Sequence, residues 1–367
     1  MRIVFDSNIF LKQKDGGISG YFMNVSRELN KINVKHFIFA FFSKNKKINH
    51  LKYKFNFLTI SRSYGFQTIL EKINSFFEKL FFKFYKPSLI HQTYYFYTKK
   101  QKIPLITTIH DMIPELFHKK FYFEKDLIKN KEKAIYNSDH LICVSHNTKK
   151  DLLKLYNNLD EKKISVIYPG RGNYENFYQK EIPKKIEYIK DLKYILFVGK
   201  RGSYKNFNFF LNSISKSKKI TENYKVICFG SNKFDNEEIN NYTKNGFSKN
   251  SVIHVSGNDY TLGCLYKYAS LLANPSLYEG FGTPPIEAMS LNCPVISSST
   301  GASKEILNNS AVYFNPESSN EIMFKCEDIL YNEDLRIKLI KKGFKHSLNF
   351  SWDKCTKEIF NLYKVLT

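Results

Sequence analysis

The strongest constraint on the fold is one strand–loop–helix–strand segment in the second half of the chain. Apolar runs at residues 271–274 and 295–298 predict two buried strands. Between them, a glycine-containing loop at residues 279–282 leads into a helix, with Thr283 as the predicted N-cap and Pro284 as its first residue. A helix between two strands predicts a parallel crossover, so the sequence favours an α/β fold.

The start of this helix is a predicted anion site. Free backbone N–H groups and the positive end of the helix dipole point at one place, and glycines let a ligand approach the backbone. Two carboxylates flank it, Glu279 in the loop and Glu287 in the helix. The alternative is that Glu287 only complements the helix dipole and Glu279 is a solvated loop acid.

The string from Glu279 to Glu287, two acids separated by seven residues, resembles the signature of retaining family 4 glycosyltransferases. That resemblance implies the GT-B fold, with two Rossmann-like domains whose parallel sheets face across a cleft. It also implies that Glu279 contacts the donor sugar and Glu287 the ribose of the nucleotide. The backbone that would line the sugar and diphosphate belongs to Gly280, Phe281, Gly282 and Thr283.

The length of 367 residues favours two domains. We expect an N-terminal acceptor domain at residues 1–170 and a linker at 171–189. A nucleotide-sugar domain follows at residues 190–350. Residues 351–367 resemble the family's C-terminal helix, which packs back on the first domain.

In the first domain, glycines and histidines follow predicted strands. Gly16 and Gly17 stand between the first strand and a helix, which suits a backbone close to phosphate but also an ordinary turn. His91 and His110 each follow a strand, at the sheet edge where ligands bind. A single histidine there is more often a satisfied hydrogen-bonding residue. The pair His110-Asp111 resembles the family's active-site histidine, so His110 is our catalytic candidate.

The second domain opens with a buried strand followed by a basic, glycine-containing loop. This loop contains Gly199, Arg201 and Lys205 and resembles the family's diphosphate clamp. An arginine can bind phosphate in a bidentate manner and a lysine acts as a point charge. The alternative is a solvated loop. With Glu279 and His110, these two cations complete the predicted catalytic set.

The chain has a formal net charge of +23, and residues 1–100 carry 18 basic and 5 acidic side chains, a net +13. An anionic membrane surface would attract such a segment. A predicted helix at residues 68–85 combines lysines with many aromatic residues, which fits either a helix on a membrane surface or one packed on its own sheet. A nucleic-acid partner is not expected, because no helix-turn-helix, zinc-finger or RNP-like motif is present.

The remaining composition favours a reduced, metal-free protein. Six cysteines are scattered without metal-ligand spacing, which is typical of the cytosol. The first residues are too short and too charged for a signal peptide. No Asp-x-Asp occurs, so we expect no metal and no cofactor besides the donor substrate.

Together these features predict retaining transfer of a hexose from a nucleotide sugar. The resemblance is greatest to mannosyl- and rhamnosyltransferases of O-antigen assembly, which favours GDP-mannose over UDP and dTDP donors. The acceptor would be a glycan or a polyprenyl-diphosphate-linked sugar, reached from the cytoplasm at the inner face of the plasma membrane. The alternatives are a GT-B epimerase or phosphorylase and, from another class, a basic nucleic-acid-binding protein.

Overall fold

The computed structural model describes residues 1–60, 66–95, 99–124, 126–172, 174 and 181–367. The chain forms two compact units. Unit 1 comprises Met1–Gly170 together with Ser351–Thr367, and unit 2 comprises Arg171–Phe350. Each unit has its own parallel sheet and its own core, as the predicted α/β class requires.

Unit 1 contains a seven-stranded parallel sheet in the order β3-β2-β1-β4-β5-β6-β7. Its strands are β1 (Ile3–Phe5), β2 (His36–Ser43), β3 (Lys54–Thr59), β4 (Leu89–Gln92), β5 (Leu105–Ile109), β6 (His140–Cys143) and β7 (Ile164–Val166). The central strands β1, β4 and β5 are buried along their whole length, as expected where helices cover both faces of a parallel sheet.

The helices of unit 1 include the C-terminal segment of the chain. They are α1 (Asn8–Lys12), α2 (Gly17–Lys31), α3 (Gln67–Tyr85), α4 (Ile113–Phe117), α5 (Leu127–Asn137), α6 (His146–Leu155) and α15 (Trp352–Leu366). Short 3₁₀ helices lie at Lys46–His50 and Glu161–Lys163. Helix α15 packs against α2 and buries Ile359 and Tyr363 in the core of the unit.

His91 anchors α15 to the sheet. Its Nδ1 lies 2.6 Å from the Tyr363 hydroxyl and its Nε2 lies 2.8 Å from the Thr108 hydroxyl. The ring is fully buried, and burial lowers its pKa to about 3, so it is neutral at physiological pH. His91 is therefore a satisfied core residue, the more frequent role of a histidine at the end of a strand.

Unit 2 contains a six-stranded parallel sheet in the order β10-β9-β8-β11-β12-β13. Its strands are β8 (Tyr194–Val198), β9 (Lys225–Phe229), β10 (Val252–Val255), β11 (Leu271–Asn274), β12 (Val295–Ser298) and β13 (Val312–Phe314). Its helices are α7 (Phe207–Ile214), α8 (Lys218–Asn223), α9 (Asn236–Lys244), α10 (Asp259–Tyr268), α11 (Thr283–Ser290), α12 (Ser303–Leu307), α13 (Ser319–Tyr331) and α14 (Glu333–Ser347). Among the described residues of this unit, short 3₁₀ helices lie at Lys184–Asp191, Ser203–Lys205 and Asn308–Ser310.

In both sheets the chain order reverses beside the first strand, which is where ligands bind in folds of this type. In unit 1 this point lies between β1 and β4, and in unit 2 it lies between β8 and β11. The predicted basic loop follows β8 and the predicted Glu279 loop follows β11. The topology of unit 2 therefore brings these two loops to one edge.

In unit 1 a buried carboxylate, that of Asp6, lies at the equivalent point between β1 and β4. Asp6 Oδ1 accepts hydrogen bonds from the Asn8 N–H (2.7 Å), the Asn8 side-chain amide (2.7 Å) and the Thr93 hydroxyl (2.8 Å). Its Oδ2 accepts the Thr93 N–H at 2.7 Å. Burial raises the pKa of Asp6, and these donors act in the opposite direction. Asp6 thus ties the end of β1 to the residue that follows β4.

Among the described residues, no helix is both long enough and apolar enough to cross a membrane.

We expect Asp6→Ala to lower the free energy of unfolding of unit 1 by about 3 kcal/mol, because it leaves buried donors on Asn8 and Thr93 without acceptors. Trp352 is the one tryptophan of the chain and lies in unit 1, so its fluorescence in urea follows this unit. Asp15→Ala is the control, since Asp15 is an exposed acid paired with Lys47. Equal stability losses in the two variants would contradict the role of Asp6.

Candidate functional site

A buried ion pair joins the loops that follow β8 and β11. Lys205 Nζ lies 2.7 Å from Glu279 Oε1, and the two side chains are only 16% and 11% exposed. The Leu277 N–H also donates to the Tyr204 carbonyl oxygen at 2.7 Å, which ties the two backbones together. The structure thus brings together two residues that the sequence analysis assigned to different roles, one to the diphosphate and one to the sugar.

The loop after β8 has a backbone that only a few residue types adopt easily. Gly199 has a φ of +133°, and a Cβ there would lie 3.7 Å from the Lys205 side chain. Ser203 and Asn206 also have positive φ values, of 62° and 56°. The short 3₁₀ helix Ser203–Lys205 begins at the first of these two residues, and Asn206 is the N-cap of α7, so Lys205 lies two residues before that helix begins.

Glu279 is held from a second side by the loop after β12. The Ala302 N–H donates to the Glu279 carbonyl oxygen at 3.0 Å. Gly301 has a φ of +57°, and a Cβ there would lie 2.7 Å from the Glu279 carbonyl oxygen and 2.8 Å from its nitrogen. Only glycine fits this approach, so Gly301 fixes the backbone of Glu279. The sequence analysis made no site assignment in this loop.

Helix α11, which follows the Glu279 loop, begins one residue earlier than predicted. The N-cap of α11 is Gly282 (φ 85°), Thr283 is the first helical residue, and no side chain caps the helix. The prediction of Thr283 as the N-cap was therefore wrong, because Gly282 takes the left-handed conformation that a capping threonine avoids. A Cβ on Gly282 would lie 3.7 Å from that of Glu279, so the helix start and Glu279 are neighbours.

The Phe281 side chain, in the loop before α11, packs inside unit 2. Phe281 is buried, and its ring packs edge-on against Phe350 at 5.6 Å. The residues Gly280 and Gly282 flank it in the chain. The roles of Gly280, Phe281, Gly282 and Thr283 in lining a ligand remain predictions.

Glu287 projects from α11 into a cluster of tyrosines. Its Oε2 accepts a hydrogen bond from the Tyr266 hydroxyl at 2.9 Å. Burial raises the pKa of Glu287 to about 7, and hydrogen bonds from Tyr266 and Tyr174 and from the Gly172 backbone limit the rise. The carboxyl group therefore takes up a proton at a higher pH than an ordinary glutamate does. The sequence analysis did not identify Tyr174 or Tyr266, since neither lies in a motif.

Arg201 lies against Glu238 rather than with Lys205 and Glu279. Its Nε and Nη2 donate to the two Glu238 carboxylate oxygens at 2.7 and 2.8 Å. Its Nη1 donates to the Asn232 carbonyl oxygen at 2.8 Å, and its guanidinium carbon lies 4.1 Å from the centre of the Phe234 ring. A phosphate role for Arg201 remains a prediction, and it would require the arginine to exchange these partners for a ligand.

In unit 1, His110 follows β5 and packs edge-on against Tyr21, with ring centres 5.2 Å apart. Its Nε2 is buried, and among the described residues it has no hydrogen-bond partner. Burial, followed by the nearby Lys131 charge, lowers the pKa of His110 to about 3, so the imidazole is neutral at physiological pH. In a neutral imidazole one nitrogen donates a hydrogen bond and the other accepts one, and the ring carries no charge.

The segment after His110 is fixed by a buried ion pair that the sequence analysis missed. Lys131 Nζ donates to the Asp111 carbonyl oxygen at 2.6 Å and to Glu115 Oε2 at 2.9 Å. The Tyr156 hydroxyl donates to Glu115 Oε1 at 3.0 Å. Lys131 and Glu115 are 16 residues apart and lie in different helices, so no local pattern marked them as partners.

Gly16 and Gly17 lie at the exposed start of α2, with Gly16 as its N-cap in an extended conformation. They follow α1 rather than β1 directly. A Cβ on Gly16 would lie 2.4 Å from the Gln13 side-chain oxygen. Phosphate binding by these two glycines stays a prediction.

We expect Glu287→Gln to stabilise unit 2 at pH 8 but hardly at pH 5. The pKa of Glu287 is raised in the folded protein, so its contribution to stability is full below the ordinary carboxyl pKa. It is lost as the pH rises through about 7. The variant should gain about 2–4 °C in Tm at pH 8 by calorimetry. The exposed Glu317→Gln is the control, and an equal gain at both pH values would contradict this assignment.

Two family models match the chain. Residues 15–171 match the family described as Glycosyltransferase Family 4, and residues 178–346 match the one described as Glycosyl transferases group 1. The O-antigen chain mannosyltransferase RfbU of Salmonella typhimurium is 34% identical over 232 residues, which cover 60% of each chain. O-antigen chain mannosyltransferase B of Escherichia coli is 24% identical over 279 residues, 74% of this chain and 73% of the relative. The chain thus matches about three-fifths of the length of the Salmonella relative.

Solved structures share the fold over the full chain. Sucrose-phosphate synthase from Thermosynechococcus elongatus has a TM-score of 0.80 at 17% identity and covers 100% of this chain and 98% of its own. Anabaena Alr3699/HepE, solved with UDP-glucose, has a TM-score of 0.75 at 15% identity and covers 100% of both chains. At such identities the likeness concerns the fold alone. The two family models and this shared fold confirm the resemblance found in the sequence: the chain belongs to the glycosyltransferases of the GT-B fold, with a family 4 domain followed by a group 1 domain.

Proposed function

We propose that this protein transfers a hexose from a nucleotide sugar to a glycan or lipid-linked sugar acceptor, with retention of configuration. The Lys205–Glu279 ion pair carries the proposal, because it places a cation and a carboxylate together beside the start of α11. A donor diphosphate would take Lys205 as its counter-ion, and sugar hydroxyls would donate to Glu279. Lys205 would thereby exchange the Glu279 carboxylate for a phosphate, and Glu279 would exchange the Lys205 ammonium group for hydroxyl donors.

The same groups would stabilise the leaving diphosphate without a metal. Negative charge grows on that group as the glycosidic bond breaks, and preorganised positive groups lower the barrier to its departure. Lys205, the N-terminus of α11 and, after release from Glu238, Arg201 would supply this stabilisation. For His110 we keep the role that the resemblance implies, at the reacting carbon or the acceptor. Its neutral state suits a hydrogen bond to a sugar hydroxyl.

Glu287 would bind the ribose of the donor. A carboxylate accepts hydrogen bonds from two neighbouring hydroxyl groups, whereas a protonated carboxyl group accepts them less well. Because the pKa of Glu287 is raised to about 7, ribose binding would draw the group toward its ionised form. Tyr266 and Tyr174 would hold its orientation during this change.

For the donor we propose GDP-mannose and for the acceptor a sugar on a polyprenyl diphosphate, in the assembly of a surface polysaccharide. Support for the sugar and the pathway comes from relatives in Salmonella typhimurium and Escherichia coli that are named as O-antigen mannosyltransferases. Support for a lipid-linked acceptor comes from the net charge of +13 in residues 1–100. We place the protein in the cytoplasm at the inner face of the plasma membrane.

We expect Glu279→Gln to reduce the rate of hexosyl transfer by at least about 100-fold, because the amide cannot hold the sugar hydroxyls as a charged acceptor does. The assay follows labelled sugar from the donor into the acceptor, and it requires the acceptor for turnover, which an epimerase would not. The exposed Glu237→Gln, in the same unit, is the matched control. Near-normal transfer by Glu279→Gln, with an unchanged Tm, would remove Glu279 from the site.

A further inference from the structure

Helix α3 buries two polar side chains and leaves several large apolar ones exposed. Of its residues, all of which the structure describes, Asn74 and Glu78 alone are buried. The Asn74 side chain accepts a hydrogen bond from the Phe42 N–H at 2.7 Å and donates one to the Phe42 carbonyl oxygen at 3.0 Å. These contacts fix the rotation of α3 on the sheet. The sequence analysis left open whether this helix packs only on its sheet, and in the described part of the chain one side of it remains exposed.

The uncovered side of α3 has an apolar stripe with a basic border. At about 100° per residue, four exposed apolar side chains fall within about 80° of one another. They are Ile69, Phe76, Leu80 and Phe84. Three exposed lysines follow one border of that stripe at the same helical spacing, namely Lys72, Lys79 and Lys83.

The edge strand β3 extends this surface. Phe57 stacks on Phe41 at 4.7 Å, and Phe41 stacks on Phe77 of α3 at 3.8 Å. Phe77 in turn meets the exposed Phe76 edge-on at 5.4 Å. These ring contacts therefore connect the exposed edge strand β3 with the exposed apolar stripe of α3. Phe66, at the N-cap of α3, is also exposed.

We call this surface the aromatic–basic face and define it by Phe57, Phe66, the stripe of α3 and its three lysines. The four phenylalanines on it are between 63% and 79% exposed. Soluble monomers rarely expose so many large apolar side chains together unless the surface binds something. The face is also strongly basic: the described residues 52–60 and 66–86 contain six lysines and two acids, of which Glu78 is buried and Glu71 lies 3.7 Å from Lys12.

We propose that the aromatic–basic face docks the protein on a membrane that contains anionic lipids. Phenylalanine rings on a helix that lies in the membrane plane enter the boundary between headgroups and acyl chains. The lysines beside them extend their ammonium groups to lipid phosphates while their apolar stems follow the rings. Charge complementarity selects this occupant, because a second copy of the same face would set its lysines against like charges. The inference deepens the proposed function by naming the surface that brings a lipid-linked acceptor within reach.

The test measures co-sedimentation of the full chain with vesicles. We expect binding to phosphatidylcholine vesicles that contain about 30% phosphatidylglycerol and weak binding to phosphatidylcholine alone, with a loss of binding when salt is raised to about 0.5 M. The triple variant K72Q/K79Q/K83Q should weaken binding to anionic vesicles about 100-fold. The double variant F76S/F84S should weaken it as well, at every salt concentration at which the unaltered protein binds.

Matched controls lie on unit 2. K338Q/K341Q/K345Q removes the same charge from exposed positions on α14, and Phe324→Ser removes a ring that is 60% exposed on α13. Both should bind vesicles as the unaltered protein does. Equal losses in the control variants, or unchanged binding by the α3 variants, would overturn the proposal. So would a dimer, seen by size-exclusion chromatography, that F76S/F84S dissociates.

Vesicle binding and donor binding are separable measurements. The residues altered on α3 lie in unit 1, and the Lys205–Glu279 pair lies in unit 2, so nucleotide affinity in solution should be the same in the two α3 variants as in the unaltered protein. Failure of vesicle binding with intact nucleotide binding would overturn the docking face alone. Failure of nucleotide binding with intact vesicle binding would instead overturn the proposed donor site.

Discussion

The pairing of Lys205 with Glu279 is the interaction on which the candidate site of unit 2 depends. It exists because β8 and β11 are neighbours in the sheet, although 72 residues lie between the end of β8 and the beginning of β11. At that point, two loops leave the same edge of the sheet, and each presents one charge. The pair is mostly buried, so removal of either partner would leave a charge that a ligand of opposite sign could satisfy. That property is what a site for a charged, hydroxyl-rich substrate requires.

The backbone around the pair requires glycine at several positions, and a buried carboxyl group on α11 adds an electrostatic cost to the same unit. Gly199, Gly282 and Gly301 all have positive φ values, and Gly301 leaves no room for a side chain beside Glu279. Glu287 is buried enough to raise its pKa to about 7, which disfavours its charged form in the folded protein. Functional sites commonly sacrifice stability in this way, because the groups that await a ligand are not arranged for the best packing without it.

The sequence predicted the α/β class, the strands around the site and the helix α11, because buried strands and glycine loops are local patterns. It did not predict which charges would meet. Arg201 and Lys205 share one loop, yet Arg201 binds Glu238, and only the fold reveals that preference. The cap of α11 shifted from Thr283 to Gly282, since backbone conformation at a glycine depends on its tertiary surroundings. The uncovered stripe of α3 followed from the Asn74 contacts with β2, which helical periodicity alone cannot supply.

The most direct test of the Lys205–Glu279 site is calorimetric titration with nucleoside diphosphates. GDP, UDP, dTDP and ADP would be added, without metal, to the unaltered protein, to Lys205→Met and to the exposed control Lys233→Gln. We expect one diphosphate, GDP in our proposal, to bind clearly more tightly than the others. Its affinity should fall at least about 10-fold in Lys205→Met and stay unchanged in the control. Binding of no nucleotide, or equal binding by Lys205→Met, would contradict the assignment of this ion pair to the donor site.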